Sequence, residues 1–558
     1  MSARPGGPTP APPAAEGAVP LPAATPPAAA AGGGPGRSTV AGRYLPAGLA
    51  AAAMLVAGLW GLARDSAMGN DEVATHWAAL LPLRQLFHLL SHVDAVHGLY
   101  YLLIHAWMAV GTGPTVTRIP SVISMVVAVA LTATLGRRLT GSGWAGLFSG
   151  LIMALTPTIT YYAQTARSYA LVLAFVVAAT LVLLHALAAE ADGAPGRRVA
   201  RWWLGYGALV LVAGYLNELA LLMLAAHLVT VLLARYGRTV LRHWAVAGIT
   251  AAVLVAPLAV ISSREAKAVN WIPRPGPGDA RVLFHDYFGA TTWIAVLLFL
   301  CAVAAVLPPL SAWRSGSGPA RFAGAWWTQG GVSLPSVAAP LVVLPAFLLV
   351  LESEIARPLY VDRYVLYGEA AAALLAGAGL YRIGKWLAAA SAGARSGGTP
   401  SGWRALIWVP GIIVCVAALV FQLGPQQRVR TPGSRLYNFG APSVYVAAHA
   451  RPGDGVLFFS SFFRKARLGY PADYRDVRDF AVAQTPAQAG TYQGTNKPPA
   501  TVNLLMADYR RIWVVGNAPS ESLKLKPLRQ ESAVLLDRFT MVTKRHWRGI
   551  TVTLWVRR

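Results

Sequence analysis

Acid is the scarcest chemistry in this chain. Of 558 residues only 23 are Asp or Glu, against 48 Lys or Arg, and charged residues of either sign make up 13%. A soluble chain carries about a quarter, so an ordinary soluble globular enzyme is excluded. Cysteine is nearly missing. Cys301 and Cys415 both sit inside hydrophobic runs and read as small buried apolar side chains, which excludes a disulfide framework and leaves the redox compartment open. Zinc and base-stacking motifs are also lacking, so the net charge of +25 does not point to nucleic acid. Residues 1–40 lack the compact apolar stretch and cleavage site of a signal peptide, and the first span reads as an uncleaved anchor.

What is there in abundance is apolar: 55% of residues, in long blocks, with a mean hydropathy of +0.48. Blocks of about 20 apolar residues span a bilayer as helices. They fall near 46–63, 119–136, 142–159, 168–189, 202–216, 218–234, 243–262, 290–309, 337–352, 364–381 and 403–422. The expected fold is a polytopic α-helical membrane protein of about eleven transmembrane helices. Three parts are expected: a disordered Pro/Ala/Gly-rich cytoplasmic tail over 1–44, a transmembrane catalytic domain over 45–422, and a small C-terminal extracytoplasmic α/β domain over 423–558. Strand-like runs at 455–460, 511–516 and 551–556 mark that last part. It holds 21 Lys+Arg against 8 Asp+Glu, a balance suited to anionic lipid head groups or phosphorylated lipids.

Basic residues set the orientation. Arg37 and Arg43, Arg137 and Arg138, Arg197, Arg198 and Arg201, Arg235, Arg238 and Arg242, Arg314 and Arg321, and Arg382, Lys385, Arg395 and Arg404 occupy every second loop. Those loops are expected in the cytoplasm. The alternate loops 64–118, 160–167, 263–289 and 352–363 hold the acids and face outward, as does the C-terminal domain.

Two adjacent acids, Asp71 and Glu72, lie just beyond the first span. The plain reading of Asn70-Asp71-Glu72 is a helix cap, with carboxylates favouring the positive end of the dipole. Adjacent helical residues point in different directions, so one carboxylate at most addresses a given atom, and Asp71 is the candidate. The stretch 92–111 reads as an interfacial helix carrying Tyr100, Tyr101 and Trp107. His88 and His92 stand at metal-ligand spacing without a clear third ligand. Arg167, flanked by Tyr162 and Tyr169, and Arg363, beside Tyr364, each border a span. Either arginine suits lipid phosphates or a lipid-linked phosphate, whose oxygens its planar fork matches. Glu369, inside span ten, is a functional suspect or half of an ion pair.

Together these segments resemble glycosyltransferase family 39, the protein O-mannosyltransferase-like enzymes of the GT-C superfamily, in their actinobacterial form. The residues are Asp71-Glu72, "HGLYYLLIHAW" (97–107), "RIPSVI" (118–123), "TPTITYYAQTARSYAL" (156–171), "NWIPRP" (270–275) and "RPLYVDRYVLY" (357–367), over roughly residues 45–380. Relatives often carry Glu where this chain has Thr165, so no second acid is assigned there. The resemblance implies transfer of a sugar, mannose first among candidates, from a polyprenyl-phosphate donor to an acceptor hydroxyl on the outer face of the plasma membrane, with inversion. It implies Asp71 as base, assisted by Glu72, and Arg167 and Arg363 on the donor phosphate. His97, Tyr101, Tyr162, Tyr169 and Tyr364 shape the substrate pocket. No cofactor is assigned, and a divalent metal stays open. The expected partners are a polyprenyl-phosphate-linked sugar, a glycan, lipid or protein acceptor, and membrane lipids, with no nucleic acid. A transporter of lipid-linked sugars would show internal repeats and midplane polar groups. No repeat is found, and the polar clusters sit at span ends. A non-catalytic envelope scaffold would leave Asp71 a cap.

Overall fold

The computed structural model describes residues 40–558 apart from 64–66, 266–268, 309–315, 319, 321, 323–330, 394–406, 436 and 517–525. The expected tail therefore lies, up to residue 39, outside the described residues, as do Arg37, Arg314, Arg321, Arg395 and Arg404.

Sixteen helices are numbered here up to the sheet domain: α1 Val40–Leu59, α2 Asn70–Leu80, α3 Leu83–Leu90, α4 Gly98–Trp107, α5 Pro114–Thr140, α6 Gly143–Leu155, α7 Pro157–Ala163, α8 Tyr169–Ala191, α9 Gly196–Leu216, α10 Met223–Ala234, α11 Arg238–Arg264, α12 Pro277–Phe288, α13 Thr292–Val306, α14 Leu334–Ile355, α15 Gly368–Gly393 and α16 Val409–Arg428. Among the described residues six of these are long and apolar enough to cross a membrane, or up to eight if each bent pair is one span. The chain is thus a multi-pass membrane protein, but length and composition do not reach the expected eleven. The uncounted blocks include those at α1 and α10, which are shorter apolar helices, and α6 and α7 bend by 68° where Pro157 follows the extended Thr156. Proline cannot donate to the helix before it, and it drives its predecessor out of helical conformation. One apolar block so becomes a helix and a short elbow; α12 and α13 also meet at 73°, but there the break falls at Gly289, whose φ is +119°, with no proline between the two helices. The expected span at 403–422 begins at Val409 and runs on to Arg428.

The intact spans are cleanly punctuated. α5 starts on Pro114, where a missing N–H costs nothing, and stops at Gly141, whose φ of +70° only glycine adopts without strain. Between spans, α2, α3 and α4 form a cluster of short helices at the same end as the sheet domain.

That domain is built on a five-stranded sheet of order β2-β1-β5-β7-β6. Its strands are β1 Asp454–Phe459, β2 Val477–Asp479, β5 Arg511–Gly516, β6 Phe539–Trp547 and β7 Ile550–Arg557; β3 Val482–Gln484 and β4 Thr495–Asn496 form a separate hairpin. β1 runs parallel to β2 and β5, while β7 is antiparallel to β5 and β6. β1 is buried along its whole length, which is why its sequence is a continuous apolar run rather than an alternation. One face packs Val456, Phe458 and Trp513 under Phe439 and Val446 of α17 (Gly440–His449). The same core takes in Met68 and Val73, which flank the acidic pair. The other face packs Leu457 and Phe459 against Val502, Met506 and Leu535.

Candidate active site

α2 begins at Asn70 with Gly69 as its cap residue, so Asp71 and Glu72 occupy the first turn, where carboxylates favour the helix dipole. The two side chains then part. Glu72 is only 2% exposed and is enclosed by cations. Its Oε1 accepts from Arg118 Nε at 2.8 Å and from the Ala166 amide at 3.2 Å, and its Oε2 from Arg118 Nη2 at 3.1 Å and the Gly69 amide at 3.3 Å. Arg435 Nε stands 3.5 Å from the same Oε2. Burial alone would raise this carboxyl, but Arg118 and Arg435 outweigh it and hold it at about 2. Such an acid is committed to structure: it ties the first loop to the α7–α8 elbow and orients its neighbour.

Asp71 faces the other way, its side chain 35% exposed. Arg167 Nη2 lies 3.7 Å from its Oδ1, and Asn70 Nδ2 donates to that oxygen at 3.2 Å. Partial burial favours the neutral acid, yet the charges of Arg167, Arg363 and Lys465 prevail and bring the carboxyl to about 2. It is therefore ionised at neutral pH and open to a ligand.

Arg167 comes from the bend between α7 and α8 and is buried. Its Nη1 donates to Tyr101 Oη at 2.8 Å, and its Nε has no hydrogen-bond partner. Tyr101 is held in turn. Its hydroxyl donates to Asp94 Oδ2 at 2.7 Å, and Tyr492 of the sheet domain reaches the same oxygen at 2.8 Å. Asp94 sits at a φ of +60°, which aspartate tolerates better than most residues. His97 packs 5.9 Å from the Tyr101 ring, and its Nδ1 is unpartnered. Burial, with Arg167 close by, lowers its pKa to about 3 and keeps it neutral.

Arg363 closes the opposite side. Its Nε donates to Tyr169 Oη at 3.0 Å. Its guanidinium carbon lies 5.5 Å from the ring centres of both Trp271 and Tyr364, in cation–π range. Tyr162 meets Tyr169 edge-on at 5.5 Å, and Tyr169 stands 6.3 Å from Tyr364. A cleft of about 670 Å³ opens beside them, lined by Tyr162, Arg363, Asp286, Asp362, Arg428 and Arg548 among others.

The structure thus gathers Asp71, Arg167, Arg363, Tyr162, Tyr169 and Tyr364 around one point. His97 and Tyr101 stand behind Arg167, buried, and Tyr101 supports that arginine rather than lining an opening. Glu72 does not join the group. Glu369 is fully buried with both oxygens unpartnered, so the arginine pairing considered for it is not formed. His88 and His92 meet edge-on with ring centres 4.7 Å apart, and among the described residues no group of three or more His, Cys, Asp or Glu stands together as a metal site would require.

Five further residues complete the site: Arg118, Asp94, Arg435, Lys465 and Tyr492. Arg118 and Asp94 lie in stretches with a sequence signal, but their pairing with Glu72 and Tyr101 is not marked in the sequence. Arg435, Lys465 and Tyr492 come from the far end of the chain, where nothing local marks them.

Residues 96–261 match the family model described as dolichyl-phosphate-mannose-protein mannosyltransferase, a stretch that includes Tyr101, Tyr162, Arg167 and Tyr169. Among solved structures, the chain is similar to apo ArnT from Cupriavidus metallidurans, with a TM-score of 0.52 at 13% identity over 91% of this chain and 97% of that one. It is similar to the same protein bound to undecaprenyl phosphate, with a TM-score of 0.50 at 14% identity over 92% and 98%. The archaeal oligosaccharyltransferase AglB from Archaeoglobus fulgidus, in complex with an inhibitory peptide and a dolichol-phosphate, gives 0.47 at 10% identity over 91% and 74%. No curated protein gives a significant sequence match. The chain shares the fold of ArnT: a multi-pass helical body with a sheet domain seated over its short interhelical segments.

Proposed function

We propose that this protein is a glycosyltransferase that moves a sugar, mannose in the first instance, from a polyprenyl-phosphate carrier to an acceptor hydroxyl, with inversion. The observation that carries the reading is Asp71: an ionised, partly exposed carboxylate with Arg167 at 3.7 Å and the charge of Arg363 acting on it as well.

The chemistry follows from that arrangement. The acceptor oxygen attacks the anomeric carbon as the bond from that carbon to the phosphate oxygen breaks, and the electron pair leaves with the phosphate. The acceptor proton passes to Asp71. A phosphate leaving group needs its growing charge stabilised rather than a proton, and Arg167 and Arg363 supply positive charge in a partly desolvated setting. One carboxylate then suffices, unlike the pair a glycosidase uses. A carboxyl at about 2 is a weak base on its own. An anionic donor screening Arg167 and Arg363 raises its basicity when the acceptor needs it. Glu72 positions Asp71, and Tyr162, Tyr169 and Tyr364 present aromatic faces to the sugar.

Arg137 and Arg138 at the end of α5, Arg197, Arg198 and Arg201 near the start of α9, and Arg238 at the start of α11 all lie at helix ends alternate to those that build the site. By the excess of basic residues in cytoplasmic loops, this supports an outward-facing site. The test is Asp71→Asn in purified full-length protein given polyprenyl-phosphate mannose and an envelope extract as acceptor source, with released polyprenyl phosphate as the readout. Turnover is expected to fall by about 10²–10⁴-fold, the range for loss of a positioned base. A wild-type rate in the variant removes Asp71 from the mechanism.

A further inference from the structure

The charge around Asp71 does not balance. Among the groups that act directly on Asp71 and Lys465, the cations Arg167, Arg363 and Lys465 stand against two carboxylates, Asp71 and Asp94, with His97 neutral, which leaves a local surplus of one positive charge. Lys465 is the cation least accounted for. It opens α18 (Lys465–Gly469) in the sheet domain and is 7% exposed. Among the described residues its Nζ makes one hydrogen bond, to Asn70 Oδ1 at 2.7 Å, and forms no ion pair. Two aromatic rings, Tyr492 at 4.9 Å and Phe462 at 5.1 Å, fill part of the space around it. A buried ammonium with one of three donors used is costly unless an anion joins it. Asn70 bridges it to the acid, since the same side chain bonds both Lys465 and Asp71.

Resting on the glycosyltransferase reading above, we infer that Lys465 is the third cation of the donor-phosphate site, beside Arg167 and Arg363, and that the sheet domain is thereby part of donor binding. A sugar-linked phosphodiester carries one negative charge, matching the surplus. The phosphate monoester left after transfer carries about 1.5 to 2. The same cations therefore hold the leaving group more strongly than the donor, which is the differential that lowers a barrier.

The ammonium also gives the inference its own signature. Burial lowers the Lys465 pKa, and Asp94 and Asp71 restore part of it against Arg167, leaving it at about 8. Tyr492, whose ring packs on it, is pushed well above the usual range for tyrosine and does not titrate with it.

The experiment measures binding of undecaprenyl phosphate to purified full-length protein in detergent at pH 7, where no transfer is needed. Lys465→Met is expected to weaken binding by roughly tenfold to a hundredfold, as for one lost charge-assisted hydrogen bond. Lys465→Arg and the exposed-surface control Lys544→Met should bind nearly as wild type does. Wild-type affinity in Lys465→Met overturns the inference. Absence of binding by the wild type itself would instead remove the polyprenyl-phosphate reading on which the inference rests. If Lys465→Met does not fold, the pH series decides. From pH 7 to 9, where the phosphate ionisation is complete, wild-type affinity should fall and that of Lys465→Arg should hold. A flat wild-type profile overturns the assignment.

Discussion

Arg435 Nη1 stands 2.7 Å from Thr165 Oγ1, joining the start of the sheet domain to the elbow that presents Arg167. The same guanidinium donates to Gln164 O at 2.9 Å, reaches Glu72, and lies 4.6 Å from the Tyr161 ring centre. One side chain thus gathers the first loop, the elbow and the C-terminal part. At this junction Glu72 supplies the nearby charge and Thr165 supplies the neutral acceptor.

Thr165→Val removes that acceptor and leaves a buried guanidinium donor unmet. A loss of about 1–3 kcal/mol is expected, the usual penalty for an orphaned buried donor. Thermal unfolding in detergent checks it, and Thr165→Ser, which keeps the hydroxyl, should unfold with the wild type.

Glu72→Gln should be the more damaging change, because it leaves Arg118 and Arg435 buried against a neutral amide. Breaking a buried pair from one side costs about 3–5 kcal/mol. The wild type carries the matching pH dependence. The native carboxyl titrates at about 2 rather than its ordinary 4.5, so its contribution is complete above pH 4.5 and is lost as pH falls through 2. A melting-temperature series from pH 7 to 3 should fall at its acid end in wild type, and more shallowly in Glu72→Gln.

The two kinetic pH profiles should separate. In free protein Asp71 is held at about 2, so kcat/KM should show no acid limb from this group between pH 5 and 7. Once an anionic donor screens Arg167 and Arg363, the carboxyl rises, and the acid limb of kcat should appear at higher pH than that of kcat/KM. Coincident limbs would mean that the donor phosphate does not sit between the arginines and Asp71.

Close helix packing gives a further test. A Cβ on Gly379 of α15 would meet Cys301 O of α13 at 1.8 Å, and that atom is backbone and cannot swing aside. Gly379→Ala should force the two helices apart and cost about 1–3 kcal/mol or more, as overpacked cores do. Gly48, with nothing within 4 Å of the same added atom, is the control: Gly48→Ala should leave the melting temperature unchanged.

Sequence reading reached the parts of the site that carry a local signal. Asp71 stands out because acids are scarce. Arg167 and Arg363 stand out because each borders an apolar block among tyrosines. The division of labour between Asp71 and Glu72 was only half legible: adjacency says that they diverge, while the partners of Glu72 depend on Arg118 and Arg435, distant in the chain. Lys465 and Tyr492 sit in polar stretches roughly four hundred residues from the loop they meet, and only the tertiary fold reveals them. Among the strands, β1, β5 and β7 announce themselves as apolar runs. β6 does not, since it lies at the sheet edge with most of its side chains exposed and reads as a mixed polar segment. The break at Thr156 was hidden inside a stretch, 142–159, whose hydropathy alone says span, while α12 falls within 263–289, which reads from the sequence as a loop.

Met68 and Val73 bracket the acidic pair and are packed in the same core as Ile550, Val552 and Leu554 of β7. The order of synthesis therefore matters. The spans are made first, but the core that takes in Met68 and Val73 is complete only once residues 550–554 have left the ribosome. A chain interrupted before β7 would keep its membrane helices and be born without a working centre.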